Sequence, residues 1–277
     1  MNYRKISIKK LALFIILFSP NIFFKNIKAF KINRVILATD ANPDYIQFWP
    51  IVAKSWKEIV EVKPTLALIA NKETKIDESL GDVIRFEPID GIPTSFQAQV
   101  IRLLLPAYFE NEGCIISDID MIPLSKNYFI ENVQNHPEDS FIIYRNNAYS
   151  PEEKKYPMCY LAASGKTFKE IFNIRDISDI KTLIKSFYEL NLGWNTDELV
   201  LYSYINNWKK FPDKCVKMGH GVEKRVDRTN WDYNSDLLKS GYYIDAHCPR
   251  PYSKYKSSIE DIFAYALKKE KSKIQKR

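Results

Sequence analysis

The run Arg34-Val-Ile-Leu-Ala-Thr-Asp40 decides the fold class. Four apolar residues in succession end on Thr39 and Asp40. An unbroken apolar run marks a strand covered on both faces in a parallel sheet, whereas a half-exposed strand alternates. A turn at Asn42-Pro43 follows. Apolar residues at 51, 52, 56, 59 and 60 then take helical spacing, with Pro50 suited to a first turn. T-L-A-L-I-A at 65–70 reads as a second buried strand, and V-I-R-F-E at 83–87 as a short third. Residues 94–109 predict a strong helix. Thr94 and Gln97 stand at capping-box spacing there, and Phe96, Val100, Leu103, Leu104 and Ala107 line one face. A strand at 114–116 comes next. Strand, helix, strand, strand, helix, strand makes an α/β sheet with parallel members.

The second half is less regular. A strand is expected at 141–145, a helix at 180–190, and another from Thr196 along T-D-E-L-V-L-Y-S-Y-I. Y-Y-I-D-A-H-C-P-R-P-Y from Tyr242 closes the core. No Gly/Ser linker divides the chain, so 31–262 reads as a single domain with a basic tail at 263–277. At the start, Arg4, Lys5, Lys9 and Lys10 precede L-A-L-F-I-I-L-F-S, the layout of a secretory leader. Ile27-Lys28-Ala29 is an imperfect cleavage site. The apolar span 11–24 contains Pro20 and Asn21 and is shorter than the roughly 20 residues that cross a bilayer. Residues 1–30 therefore read as a signal peptide or a short signal-anchor. Either implies a secretory or exported location, with membrane association through the N-terminus in the second case.

The 277 residues are 45% hydrophobic and 14% aromatic, enough for a substantial core. A net charge of +7 points to an anionic partner, but part of it sits at the two ends. Nucleic-acid binding needs basic residues grouped on one folded face, and no such cluster is legible. Cysteines occur singly at 114, 159, 215 and 248 without C-x-x-C spacing, which argues against a zinc ribbon and implies no disulfide framework.

Chemistry concentrates in C-I-I-S-D-I-D-M-I-P-L at 114–124. In an extended segment Asp118 and Asp120 point to one side, with Ile119 facing inward. Two close carboxylates repel, raising the pKa of one unless a cation intervenes. A divalent ion with oxygen ligands resolves this, and a diphosphate can complete its shell. The plainer reading is a turn with two solvated acids. Open α/β sheets bind ligands beyond the carboxyl ends of their strands, so Asp40 and the acid pair are expected to share a crevice.

Three segments together resemble nucleotide-diphospho-sugar glycosyltransferases of the GT-A fold. I-I-S-D-I-D-M-I-P-L is similar to their D-x-D segment, V-I-L-A-T-D-A-N-P-D-Y to their first strand and loop, and T-S-F-Q-A-Q-V-I-R-L-L-L-P-A-Y-F to the helix before the D-x-D. The resemblance covers roughly 34–255 and loosens in the second half. It implies a Rossmann-like, mixed, mostly parallel sheet flanked by helices, and transfer of a sugar to a glycan, lipid or protein hydroxyl. By it, Ala38, Thr39, Asp40 and Tyr45 meet base and ribose. Asp118 and Asp120 bind Mn2+ or Mg2+ across the donor's diphosphate, and Arg102 lies close to the acids.

His247 in D-A-H-C-P-R-P-Y resembles the late histidine completing the metal site, and Arg250 is suited to a phosphate oxygen. His220, between glycines, is the alternative ligand, and His136 reads as surface. In G-W-N-T-D-E-L-V the resemblance sets Asp197 and Glu198 against the sugars. The bland account is that first-turn acids suit a helix dipole. An inverting enzyme would use such a carboxylate as base and a retaining one only to hold the sugar; the choice stays open. Trp194 could stack on a sugar or simply pack. Two other classes compete: an inactive nucleotide-sugar-binding protein of the same fold, and a sugar nucleotidyltransferase. The latter usually carries a Gly-rich phosphate loop after its first strand, and L-A-T-D-A-N-P-D has none.

Overall fold

In the computed structural model, which describes residues 29–274, every residue of β1 (Arg34–Asp40) is buried. The expected leader, apart from Ala29 and Phe30, lies outside the described residues. Among them no helix is long and apolar enough to cross a membrane.

After β1 come α1 (Pro43–Ile46) and α2 (Trp49–Ser55), whose Pro50 does occupy the first turn. A π-helical turn, Trp56–Val60, closes α2. Next are β2 (Lys63–Ile69), β3 (Asp82–Phe86), α3 (Thr94–Leu104), β4 (Gly113–Ser117), β5 (Met121–Pro123) and α4 (Lys126–Phe129). The back half holds β6 (Phe141–Ile143), β7 (Tyr160–Ser164), α5 (Gly165–Phe172), α6 (Ile177–Glu189) and α7 (Thr196–Asn207). It ends with β8 (Cys215–Lys217), β9 (Arg225–Val226), α8 (Ser235–Ser240), β10 (Asp245–His247) and α9 (Tyr252–Ile274).

The main sheet has the order β3-β2-β1-β4-β7-β6-β8. β1 pairs in parallel with β2 and β4, β2 with β3, and β6 with β8, while β7 runs antiparallel to both β4 and β6. This is the mixed, mostly parallel sheet flanked by helices that the GT-A resemblance implies. A small second sheet, β5-β10-β9, stands beside it.

Both faces of the main sheet are covered, which explains the unbroken apolar runs. Val35, Leu37 and Ile115 enter one core with α2 and α9 residues, whereas Ile36, Ala38, Cys114 and Ile116 enter another beneath α3, α5, α6 and α7. Successive residues of one strand thus belong to opposite layers. The four thiols are free.

Three local expectations are corrected. Thr94 and Gln97 do not form a capping box. Pro93 is the N-cap, and the Gln97 amide serves Ile89, accepting from its N–H at 2.9 Å and donating to its carbonyl at 3.1 Å. The basic tail expected from 263 continues α9, because Ile262, Ala266 and Glu270 keep one face buried at helical spacing. Asp118 and Asp120 lie on a turn between β4 and β5 rather than on an extended segment, although Ile119 between them is buried as expected.

Candidate active site

A cleft of about 350 Å³ opens beyond the carboxyl ends of β1 and β4. Ala38, Thr39, Asp40, Tyr45, Arg102, Asp118, Asp120, Trp194, Asp197, Glu198 and His247 all line it, so the sequence-derived candidates converge. Arg250 is the exception. Its guanidinium stacks 4.5 Å from the centroid of Tyr45 and bonds that hydroxyl, so it braces a cleft residue instead of lining the wall. His220 lies elsewhere, edge-on to Tyr128, and the half-buried His136 accepts the Phe30 N–H through its carbonyl.

Asp40 is a joint between elements. One carboxylate oxygen accepts the Asn42 N–H at 3.0 Å and the other the Thr94 hydroxyl at 2.8 Å, fixing the loop after β1 to the start of α3. Arg102, on the next turns of that helix, reaches Asp118 with Nη1 and Asp197 with Nη2, the latter at 3.2 Å. Asp197 is fully enclosed. Besides Arg102 it accepts from Gln99 Nε2 at 3.0 Å and from the Glu198 N–H at 2.9 Å. Burial pushes its pKa up against the pull of Arg102.

Glu198 is different. Oε1 accepts the Tyr149 hydroxyl at 2.5 Å, while Oε2 is buried with no hydrogen-bond partner among the described residues and Lys155 Nζ stands 3.9 Å away. Burial raises the Glu198 pKa, and the Asp197 charge adds to the rise.

Asp120 is buried on the turn just before β5, where its carbonyl accepts the Cys248 N–H at 2.8 Å and so ties it to the end of β10. Oδ2 lies 3.6 Å from His247 Nε2 and accepts from Arg228 Nη1 at 3.1 Å. Burial alone would raise its pKa, but His247, Arg228 and Arg250 outweigh this and hold it below the usual carboxylate range. The other imidazole nitrogen, Nδ1, sits 3.8 Å from Asp227. A metal-ligating histidine commonly donates its other ring N–H to a carboxylate, and Asp227 stands near Nδ1 at longer than hydrogen-bond distance. Two carboxylates and an imidazole also suit Mn2+ or Mg2+ in donor chemistry. Among the described residues, however, no group of three His, Cys, Asp or Glu is gathered closely enough to hold an ion. Asp118, turned onto Arg102, is the expected ligand standing apart from the Asp120–His247 pair.

Sequence reasoning missed the arginines of the far wall. Arg225 grips the buried Asp245 through Nε at 3.0 Å, with Arg145 Nη1 3.9 Å from the same carboxylate. Both arginines line the cleft, as do Arg228, Gln99 and Tyr149. The charged stretch K-R-V-D-R-T at 224–229 was the one available signal. Its meaning depends on the pairing of β9 with β10, which no local pattern announces.

Solved glycosyltransferases match this chain. A galactosyltransferase, LgtC, in complex with donor and acceptor sugar analogs aligns over 84% of this chain and 95% of its own, at 10% identity and a TM-score of 0.48. The glycosyltransferase GlyE of Streptococcus pneumoniae TIGR4 aligns over 88% of this chain and 64% of its own, at 13% identity and a TM-score of 0.49. No protein-family model and no curated protein matches.

Proposed function

We propose that this chain is a glycosyltransferase moving a sugar from a nucleotide-diphosphate donor to a hydroxyl acceptor, with Mn2+ or Mg2+ as cofactor. The observation that carries the reading is the convergence, beyond the ends of β1 and β4, of the Asp120–His247 pair with the Arg102 and Arg228 guanidiniums on one cleft.

Asp120 and His247 would hold the ion, joined by Asp118 on leaving Arg102. Once bound, a divalent cation supplies Lewis-acid neutralisation of the charge that grows on a diphosphate leaving group. Arg102 and Arg228 each sit on a carboxylate that the ion would claim, and guanidiniums so released suit phosphate oxygens. Ala38, Thr39 and Tyr45 form the edge suited to a nucleoside, with Arg250 stiffening Tyr45. Glu198 lines the cleft and its buried Oε2 has no hydrogen-bond partner among the described residues, so Glu198 is the group assigned to a substrate hydroxyl. Its raised pKa suits proton acceptance in an inverting reaction, and its position equally suits holding the sugar in a retaining one. Asp197 has every oxygen engaged and is assigned to positioning Arg102 and Gln99. A secretory or exported site of action, membrane-attached if the leader is retained, belongs to the same proposal.

The test is hydrolysis of sugar nucleotides without acceptor, followed by release of the nucleoside diphosphate. Turnover that requires Mn2+ or Mg2+ and disappears in Asp120→Ala is the expected result. Undiminished turnover in EDTA would refute the metal role.

A further inference from the structure

Next to the cleft runs a smaller groove of about 210 Å³, lined on its apolar side by Pro93, Phe96, Tyr188, Leu192 and Trp194. It is continuous with the cleft, since Ser95, Gln99 and Trp194 line both. Its outer edge is the last turn of α6 and the loop after it, which together carry an unusual load of exposed apolar surface. Tyr188 is 40% exposed, Leu190 53%, Leu192 43% and Trp194 70%. A folded chain does not ordinarily leave four such residues so exposed between positions 188 and 194.

The loop is built to present them. Asn191 and Gly193 on either side of Leu192 both take left-handed backbone, with φ of 51° and 70°. A Cβ at Gly193 would meet nothing within 4 Å among the described residues, so it is the left-handed φ and not space that suits glycine there. Anchors hold the loop in place. Gln99 Nε2 donates to the Trp194 carbonyl, the Thr196 hydroxyl to the Gly193 carbonyl at 2.7 Å, and the Asn191 N–H to the Tyr188 carbonyl at 3.1 Å. The same Gln99 amide touches Asp197, which ties the apolar edge to the acids of the cleft.

We propose that this groove seats the hydrocarbon part of an amphiphilic acceptor, one whose hydroxyl is presented beside Glu198 while its apolar chain lies along Phe96, Tyr188, Leu192 and Trp194. The assignment rests on the transferase reading of the cleft. Charge favours this occupant over an anionic membrane surface. On and beside α6, Asp179 and Glu189 cancel Lys181 and Lys185, whereas an anionic lipid surface selects an excess of Lys and Arg.

The experiment uses the full chain and n-alkyl β-D-glucosides from methyl to octyl, each below its micelle-forming concentration, read by tryptophan fluorescence. Affinity should rise up to about fourfold per methylene until the groove is filled, since that is the gain from burying one CH2. Leu192→Ser should flatten this dependence. Leu190→Ser, on the same loop but not lining the groove, should preserve it. Chain-length-independent affinity would overturn the proposal. So would equal losses in both variants together with co-sedimentation on phosphatidylcholine vesicles, the behaviour of a membrane-facing loop. The donor is tested separately by the melting-temperature shift that sugar nucleotides produce. Leu192→Ser should retain the wild-type shift, and its loss in that variant alone would mean the loop serves the donor cleft instead. If no sugar nucleotide shifts any of the proteins, the transferase reading fails whatever the glucosides do.

Discussion

Arg102 sets the charge balance of the cleft because it touches an acid on each side, Asp118 on the β4–β5 turn and Asp197 at the start of α7. Removing one partner from a buried ion pair leaves an uncompensated charge and typically costs about 3–5 kcal/mol. Arg102→Met is therefore expected to destabilise the fold by about that amount in urea denaturation, and adding Asp197→Asn should restore part of the loss. Arg228 works differently. It is partly exposed and occupies the Asp120 oxygen that a cation would take. Arg228→Ala should raise Mn2+ affinity by up to about fivefold in calorimetry without nucleotide, the scale of a partly exposed ion pair. Lower or unchanged affinity would mean that the arginine does not compete for that oxygen.

At the scale of elements, the turn joining β4 to β5 is held from both ends. β4 is clamped between β1 and β7, and β5 is paired antiparallel with β10, which brings His247 opposite Met121. Ile116 is fully buried in the layer under α3, and Ile116→Ala should cost about 2–5 kcal/mol through lost burial and the cavity left behind. At the other end of the strand, a Cβ on Gly113 would overlap the Lys31 carbonyl oxygen. Gly113→Ala must therefore shift the backbone of β4 or that of Lys31 against it. Of these strands β1 and β4 were legible, because being buried on both faces leaves an unbroken apolar signature in the sequence, whereas β5, β7 and β10 were not read as strands. The helix of residues 94–104 was legible for a similar reason, but its first turn was misread. Gln97 sits at the spacing of a capping residue yet turns to the backbone of Ile89, a choice made by tertiary contact rather than local pattern.

Over the whole molecule, two sets of carboxylates give opposite responses to pH. At the far end of the sheet, burial would raise Asp82, but hydrogen bonds from Lys63 and Arg34 outweigh it and depress its pKa. A depressed carboxylate contributes stability above its ordinary value of about 4 that is lost as pH falls through the folded value. Asp197 has a raised pKa, so its contribution runs the other way, with stability declining as pH rises from the ordinary value to the raised one. The stability gap between wild type and Asp197→Asn should accordingly narrow as pH rises above about 4, as read from denaturation midpoints. A constant gap would mean that Asp197 keeps its unfolded-state pKa. Candidates at strand ends and in a helix's first turn could be read from sequence because position along an element predicts them. Arg225 and Arg228 could not, since only the closure of the small sheet brings them to the cleft, and Arg145, just after β6 of the main sheet, gains its place there only beside Asp245 of β10.

The central claim is a cation held at Asp120 and His247 with a nucleotide's phosphates beside it. It is tested most directly by thermal unfolding of the full chain against a panel of sugar nucleotides, with Mn2+ or with EDTA. A matched donor at about a hundredfold its Kd should raise the melting temperature by about 5–10 °C with Mn2+, with no rise in EDTA or in Asp120→Ala. A rise of equal size in EDTA, or from the Asp120→Ala protein with Mn2+, would contradict the account.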